Sequence, residues 1–399
     1  MRTLCFILIF ITSNIFSQGL IRVDNVVKKP ADVKVGAQRM DVYLPVLKNK
    51  NIAVVGNQTS MVGQTHLLDT LLSLGIKVKK IFGPEHGFRG TADAGAKVKT
   101  MKDSKTGIPI ISLYGKREKP TPADMKDIDV VVFDIQDVGV RFYTYISTLH
   151  YVMEACAENN KPLIVLDRPN PNGYYIDGPV LEEKFKSYVG LHPVPIVYGM
   201  TIGEYAQMIN GEKWLKDGMQ CKLQVVSIEG YEHSDFYELP VKPSPNLPNM
   251  GAIYLYPSLA LFEGTIVSVG RGTEMPFEVI GHPKLQNTKF SFTPHSIPEA
   301  SMKPPYKDTL CYGFDLRNFA DLYIKNSKSL YLYWLQGTYQ NTPDKSKYFN
   351  NYFNMLAGTA TLKQQIIDGT PEKDIHKSWE PGLIKFKEIR KKYLLYKDF

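Results

Sequence analysis

From residue 51 onward the apolar and polar positions alternate between two patterns. Asn51–Gly56 (NIAVVG) is a short apolar run that predicts a buried strand; Leu67, Leu68, Leu71 and Leu72 then recur at helical spacing, and 77–82 (KVKKIF) returns to strand. Further strands are predicted at 109–114 (PIISLY), 129–133 (DVVVF), 162–166 (PLIVL) and 194–198 (VPIVY). Ser147 is placed to cap a helix with Leu149, Val152, Met153 and Cys156 on one face, and Thr201 with Glu204 spells a capping box ahead of Tyr205, Ala206 and Ile209. Short β-branched strands interleaved with helices predict an α/β class with a mostly parallel sheet and helices on both faces.

Near residue 240 the texture changes. The segment 239–248 (LPVKPSPNLP) lacks the N–H groups a sheet ladder needs, and beyond it the chain is rich in Tyr, Lys and turn residues until Leu383, Phe386, Ile389 and Tyr393 mark a closing helix. The boundary is set near 252, giving an N-terminal domain over 18–252 and a smaller α+β domain over 253–399. At 399 residues the chain is long enough for two such cores, and its 43% hydrophobic and 22% charged content excludes disordered and low-complexity classes. The net charge of +8 is spread along the chain, so it permits an acidic ligand without demanding one.

Residues 1–17 are expected to be a signal peptide: Arg2 precedes the apolar run 4–11, and Ser17 is the small residue before a cleavage point. The expectation is a periplasmic or secreted protein with no membrane span, since no later run approaches the ~20 apolar residues of a spanning helix. Cleavage would leave Cys156, Cys221 and Cys311, an odd number without C-x-x-C spacing, which excludes a disulfide scaffold.

Ligand crevices of open α/β sheets lie beyond the carboxyl ends of the strands, and here the strands run into polar clusters. These are 56–59 (GNQT), 83–90 (GPEHGFRG), 134–141 (DIQDVGVR) and 167–173 (DRPNPNG). Turn and cap duties account for Asn57, Thr59, Asn170 and Asn172. They account poorly for Glu85, Asp134 and Asp137, because acids beside apolar strand residues need partners or a function. Asn57, Gln58, Gln136, Tyr143, Asp167 and Asn170 are candidate substrate-binding residues on the same rim. A dinucleotide fingerprint, a phosphate loop, a G-x-S-x-G elbow and an H-E-x-x-H zinc helix are all missing from the sequence. A crevice with several carboxyls remains, the arrangement glycoside hydrolysis requires. Two other readings stay open. One is a metal-dependent hydrolase using His86, Asp134 and Asp137, and the other is a non-catalytic glycan binder.

The motifs 83–90 (GPEHGFRG), 133–145 (FDIQDVGVRFYTY), 166–178 (LDRPNPNGYYIDG), 270–274 (GRGTE), Gly281-His282-Pro283 and 393–396 (YLLY) together resemble the exo-β-N-acetylmuramidases of the NamZ type, formerly a domain family of unknown function. The resemblance spans nearly the whole chain in order. It implies a Rossmann-like domain joined to a smaller one with the site in the cleft between them. It further implies cofactor-free hydrolysis of the β-1,4 bond that releases N-acetylmuramic acid from the non-reducing end of peptidoglycan fragments. The implied partner is a small carbohydrate, a muropeptide or disaccharide, and no nucleic acid. Glu85 matches the Glu of the family's G-P-E-H-G motif and is expected to be the general acid, with His86 beside it to assist. The second carboxyl is open among Glu274, Asp134 and Asp137. The lactyl carboxylate of the substrate calls for a cation, for which Arg89, Arg141, Arg168 and Arg271 are candidates; Arg271 ranks first and Arg141 next, because Gly270 and Gly272 would leave the backbone open to close approach.

Overall fold

The computed structural model describes residues 27–85, 87–88, 101–115, 117–285 and 287–399. The expected signal peptide, His86 and Arg89 lie outside the described residues. The N-terminal half is built on β1 (Asn51–Gly56), β2 (Lys77–Gly83), β3 (Met101–Lys102), β4 (Pro109–Ser112), β5 (Val130–Asp134), β6 (Leu163–Leu166) and β7 (Leu223–Val226). They form one seven-stranded sheet in the order β7-β6-β5-β1-β2-β4-β3. All neighbours are parallel except the edge strand β3, which pairs antiparallel with β4.

Side chains of each central strand divide between two cores, as a period of two requires. Ala53, Val55, Val131, Phe133, Leu163 and Val165 enter one core, and Ile52, Val54, Val130, Val132, Ile164 and Leu166 enter the other. Helices α1 (Met40–Leu47) and α2 (Leu67–Ser73) cover the second face through Tyr43, Leu47, Leu67, Leu68 and Leu71. Helices α3 (Tyr145–Glu158) and α4 (Ile202–Gly211) cover the first, with Leu149, Val152, Met153, Cys156, Tyr205 and Ile209 buried. The capping box at α4 forms as spelled: the Thr201 N–H donates to Glu204 Oε2 at 2.9 Å. Helix α3 begins two residues ahead of Ser147, with Thr144 at its N-cap.

Residues 194–198 do not join the sheet. Pro193 and Pro195 remove alternate donors, and Val197 makes isolated bridges to Val140 and Asp177 instead. The pattern does not predict the seventh strand, β7, because LQVV is only four residues long and broken by Gln224; its pairing with β6 rather than its own pattern makes it a strand.

Helix α5 (Met250–Leu259) crosses the residue at which the boundary was set, and its Ala252, Ile253, Tyr254 and Leu255 are buried in the same core as the first sheet face. Beyond it lies a small antiparallel sheet of β8 (Val279–His282), β9 (Phe290–Phe292) and β10 (Cys311–Asp315), in the order β8-β10-β9, followed by a helical region ending in α6 (Glu372–Arg390). The chain end then returns to the first half. Tyr396 donates to Asp167 and accepts from the Ile228 N–H (2.9 Å), and the Leu395 N–H donates to Glu204 Oε1 (2.8 Å). The 393–396 motif is thus a fastener between the two halves.

Candidate active site

The sheet reverses its winding between β1 and β5, so their carboxyl ends mark the switch point at which a ligand is expected. The protein fills this crevice with its own side chains. Asn57 accepts from the Thr59 N–H (2.9 Å) and hydroxyl (2.6 Å), Thr59 accepts from the Gln136 N–H (2.9 Å), and Ser60 donates to the Asp134 carbonyl. Arg168 holds both oxygens of Asp134, through Nε at 2.6 Å and Nη2 at 2.8 Å. Asp137 accepts from Tyr198 and from the Gly139 N–H (2.8 Å), and burial, opposed by these donors, pushes its pKa up to about 6.

Asp167 accepts from Thr201, Tyr396 and the Gly203 N–H (2.7 Å). The Asn170 amide donates to the Met200 carbonyl (2.8 Å), and that of Gln136 donates to the carbonyls of Asp137 (2.8 Å) and Pro169 (2.7 Å). Gln58 and Tyr143 both donate to the Pro243 carbonyl, at 3.2 and 2.8 Å. These candidates are therefore framework. Each is engaged in hydrogen bonds within the fold, all but Gln58 are buried, and none of them lines the large cleft described next.

That cleft has a volume of about 860 Å³ and lies between the halves. Its first wall carries Glu85, Tyr114, Phe142, Thr144 and Tyr188, and its opposite wall carries Tyr256, Glu263, Arg271, Lys303 and Tyr352. Glu85 is delivered by the turn after β2. The Gly87 N–H closes on the Pro84 carbonyl at 2.9 Å with Gly87 at φ 75°, and Phe88 anchors the turn in the core beneath. The Glu85 carboxyl is half-buried and accepts from Thr144 Oγ1 at 3.1 Å, just where α3 starts. Tyr114 faces the same carboxyl, and its phenol is held well above the ordinary range by burial first and the Glu85 charge next. Five aromatic rings in the walls offer flat apolar faces suited to sugar rings.

Arg271 enters the cleft from the second half. Its Nε donates to Glu263 Oε1 at 2.7 Å, and its guanidinium lies 5.0 Å from the centre of the Phe277 ring. Burial works against this cation, but Glu263, with Glu85 adding to it, leaves its pKa above the ordinary value. The flanking glycines, expected to open the backbone to a ligand, are closed in by the protein instead. A Cβ on Gly270 would come within 2.6 Å of Val279, and one on Gly272 within 2.5 Å of Pro304, so both residues make room for the protein itself.

Arg141, the other leading candidate, is fully buried. It donates to the carbonyls of Pro179 (2.8 Å), Val194 (2.7 Å), Leu356 (3.0 Å) and Ala357 (2.7 Å), which makes it a tie between the halves rather than a group facing the cleft. Glu274 is exposed and lies outside the cleft lining, and the carboxylate that orients Arg271 is Glu263. Sequence reasoning passed over Glu263, although it is the one charged residue between Lys242 and Arg271. An acid alone in so apolar a run was a usable signal.

Among the described residues no cluster of three or more His, Cys, Asp or Glu side chains could hold a metal ion. Likewise, no helix among them is long and apolar enough to cross a membrane.

Comparison with known proteins agrees with this architecture over both halves of the chain. Residues 52–251 match the model of the N-terminal part of the exo-β-N-acetylmuramidase NamZ, and residues 254–396 match that of its C-terminal part. The peptidoglycan β-N-acetylmuramidase NamZ of Bacillus subtilis (strain 168) is 40% identical over 378 residues, covering 89% of each chain. Two crystal structures of DUF1343 family proteins from Bacteroides fragilis superpose over 92% of this chain and 99% of theirs. Their TM-scores are 0.86 and 0.74, at 47% and 29% identity. With family models matching both halves and this extent of identity, the chain belongs to the NamZ family of exo-β-N-acetylmuramidases.

Proposed function

We propose that the protein is an exo-acting glycosidase that releases N-acetylmuramic acid from the non-reducing end of peptidoglycan fragments, in turnover of the cell wall. The observation that carries this reading is the cleft itself, where Glu85 stands among aromatic rings with Arg271 on the facing wall. Glu85 is the general acid. It gives its proton to the glycosidic oxygen as the bond to the anomeric carbon breaks, and the hydroxyls of Thr144 and Tyr114 fix where the carboxyl points. Arg271 spends Nε on Glu263 and keeps its terminal nitrogens for the lactyl carboxylate of N-acetylmuramic acid, a group N-acetylglucosamine lacks. Export through the segment 1–17 would bring the enzyme to this substrate, in the periplasm or outside the cell.

The test is incubation of the purified protein with a disaccharide of N-acetylmuramic acid β-1,4-linked to N-acetylglucosamine. Equal amounts of both monosaccharides are expected, with turnover unchanged by a chelator. Saturable binding without products would leave a glycan-binding protein, and loss of turnover with the chelator would favour the metal-dependent hydrolase.

A further inference from the structure

Glycoside hydrolysis by paired carboxyls needs a second acid on the far side of the sugar from the first. The three partners considered from sequence do not reach the cleft. Asp134 is held by Arg168, Asp137 by Tyr198, and Glu274 lies outside the lining. Among the described residues that line the cleft, the carboxyls are Glu85 and Glu263, one from each half.

Their surroundings place them near one another. The charges of both bear on Tyr256, Tyr352 and Arg271, and Tyr352 is pushed up to about 12 by burial first and then by Glu263 and Glu85. Their partners differ in kind. Glu85 meets the hydroxyls of Thr144 and Tyr114, whereas Glu263 is paired directly with a guanidinium at 2.7 Å. Glu85 thus stands on one wall of the cleft beside neutral hydroxyls, and Glu263 stands on the other beside a cation. The backbone holds Glu263 rigidly: it sits in the tight turn Ala260–Gly264 after α5, and a Cβ on Gly264 would come within 2.4 Å of Phe353.

We infer that Glu263 is the second catalytic carboxylate, acting on the anomeric carbon from the face opposite Glu85; this rests on the glycosidase reading above. On the single-displacement course a water oxygen bonds to C1, the water proton passes to Glu263, and the C1–O electron pair leaves with the oxygen that Glu85 protonates. On the double-displacement course a Glu263 oxygen bonds to C1 as Glu85 protonates the leaving oxygen, and water, giving its proton to Glu85, then displaces Glu263; this course releases the β-anomer and single displacement the α-anomer.

The test uses Glu263→Ala and the isosteric Glu263→Gln with an aryl N-acetylmuraminide, with and without azide. Both variants are expected to lose ~100 to 10,000-fold in kcat. Azide should restore turnover in Glu263→Ala and yield the α-glycosyl azide, because the small anion attacks from the vacated face. Glu85→Ala, in contrast, should lose more on the disaccharide than on aryl substrates whose leaving group needs no proton, and azide should not yield the α-glycosyl azide from it.

A Glu263→Gln protein with wild-type melting and kcat within about tenfold of wild type would overturn the inference. So would a Glu263→Ala protein that azide does not rescue, since a residue that merely orients Arg271 leaves nothing for azide to replace. If the wild-type protein releases no N-acetylmuramic acid, the function falls and this role with it. If wild type is active and the Glu263 variants are too, only this role falls.

Discussion

Replacing Arg141 with Met separates a structural tie from a substrate ligand. The guanidinium is completely buried, with two of its acceptors at Pro179 and Val194 and two at Leu356 and Ala357 in the other half of the chain. Burial pushes its pKa down to about 9, so it is still a cation at neutral pH. Gly358 exists to admit it: at φ 73°, a Cβ there would lie 2.4 Å from Nη2. In the Met variant the Val194 carbonyl keeps a second donor, the Leu181 N–H at 3.2 Å, and the other three carbonyls lose the donor that Arg141 supplied. An orphaned buried acceptor costs about 1–3 kcal/mol, and relief from burying the cation offsets part of the sum, so a net loss of about 3–5 kcal/mol is expected. Urea unfolding at pH 7, followed by fluorescence, reads the loss directly. Activity of the folded fraction on muramosides and glucosaminides should change in parallel. A loss below about 1 kcal/mol, or intact stability with selective failure on muramosides, would refute the structural role and return Arg141 to the substrate.

Glu85→Gln should abolish hydrolysis of the disaccharide by ~100 to 10,000-fold while leaving binding of the intact substrate nearly unchanged by calorimetry, because the amide keeps size and polarity but delivers no proton. Near-normal turnover in folded protein would remove Glu85 from that role. Arg271→Ala should depress kcat/KM on aryl muramosides more than on aryl glucosaminides; an equal loss on both assigns Arg271 to the chemistry through Glu263 and not to lactyl recognition. His376 predicts a pH dependence of stability. Burial opposes its charge, but Asp177 at 3.2 Å and Glu372 at 3.6 Å outweigh burial and raise its pKa to about 9. That stabilisation is fully present below pH ~6.5 and is lost as pH rises through about 9, an effect on the order of 1–2 kcal/mol for a partly exposed group. Urea midpoints should fall across that window in wild type and stay flat in His376→Gln.

The strand-helix rhythm was legible along the chain because buried strands and amphipathic helices impose periods of 2 and 3.6 on any sequence that forms them. The Thr201 capping box, the two-sided sheet and the turn that carries Glu85 all followed from such local rules. What failed was any step that needed to know which polar groups would meet. Sequence places Asp134, Asp137 and Arg168 beyond strand ends, as it does Glu85. Only the folded chain shows that Arg168 closes on Asp134 from 34 residues away and seals the switch point, while Glu85 lines the cleft. The 194–198 run has a strand's composition but the wrong prolines, and β7 is a strand because β6 supplies its partner. Glu263, Arg271 and Glu85 come from three separate segments and become a site by packing alone. Hydrophobic periodicity is a property of neighbours in the chain and survives in one dimension. Hydrogen-bond pairing is decided by short-range geometry between distant segments, so the same acid is framework or catalyst according to what the fold brings within 3 Å of it.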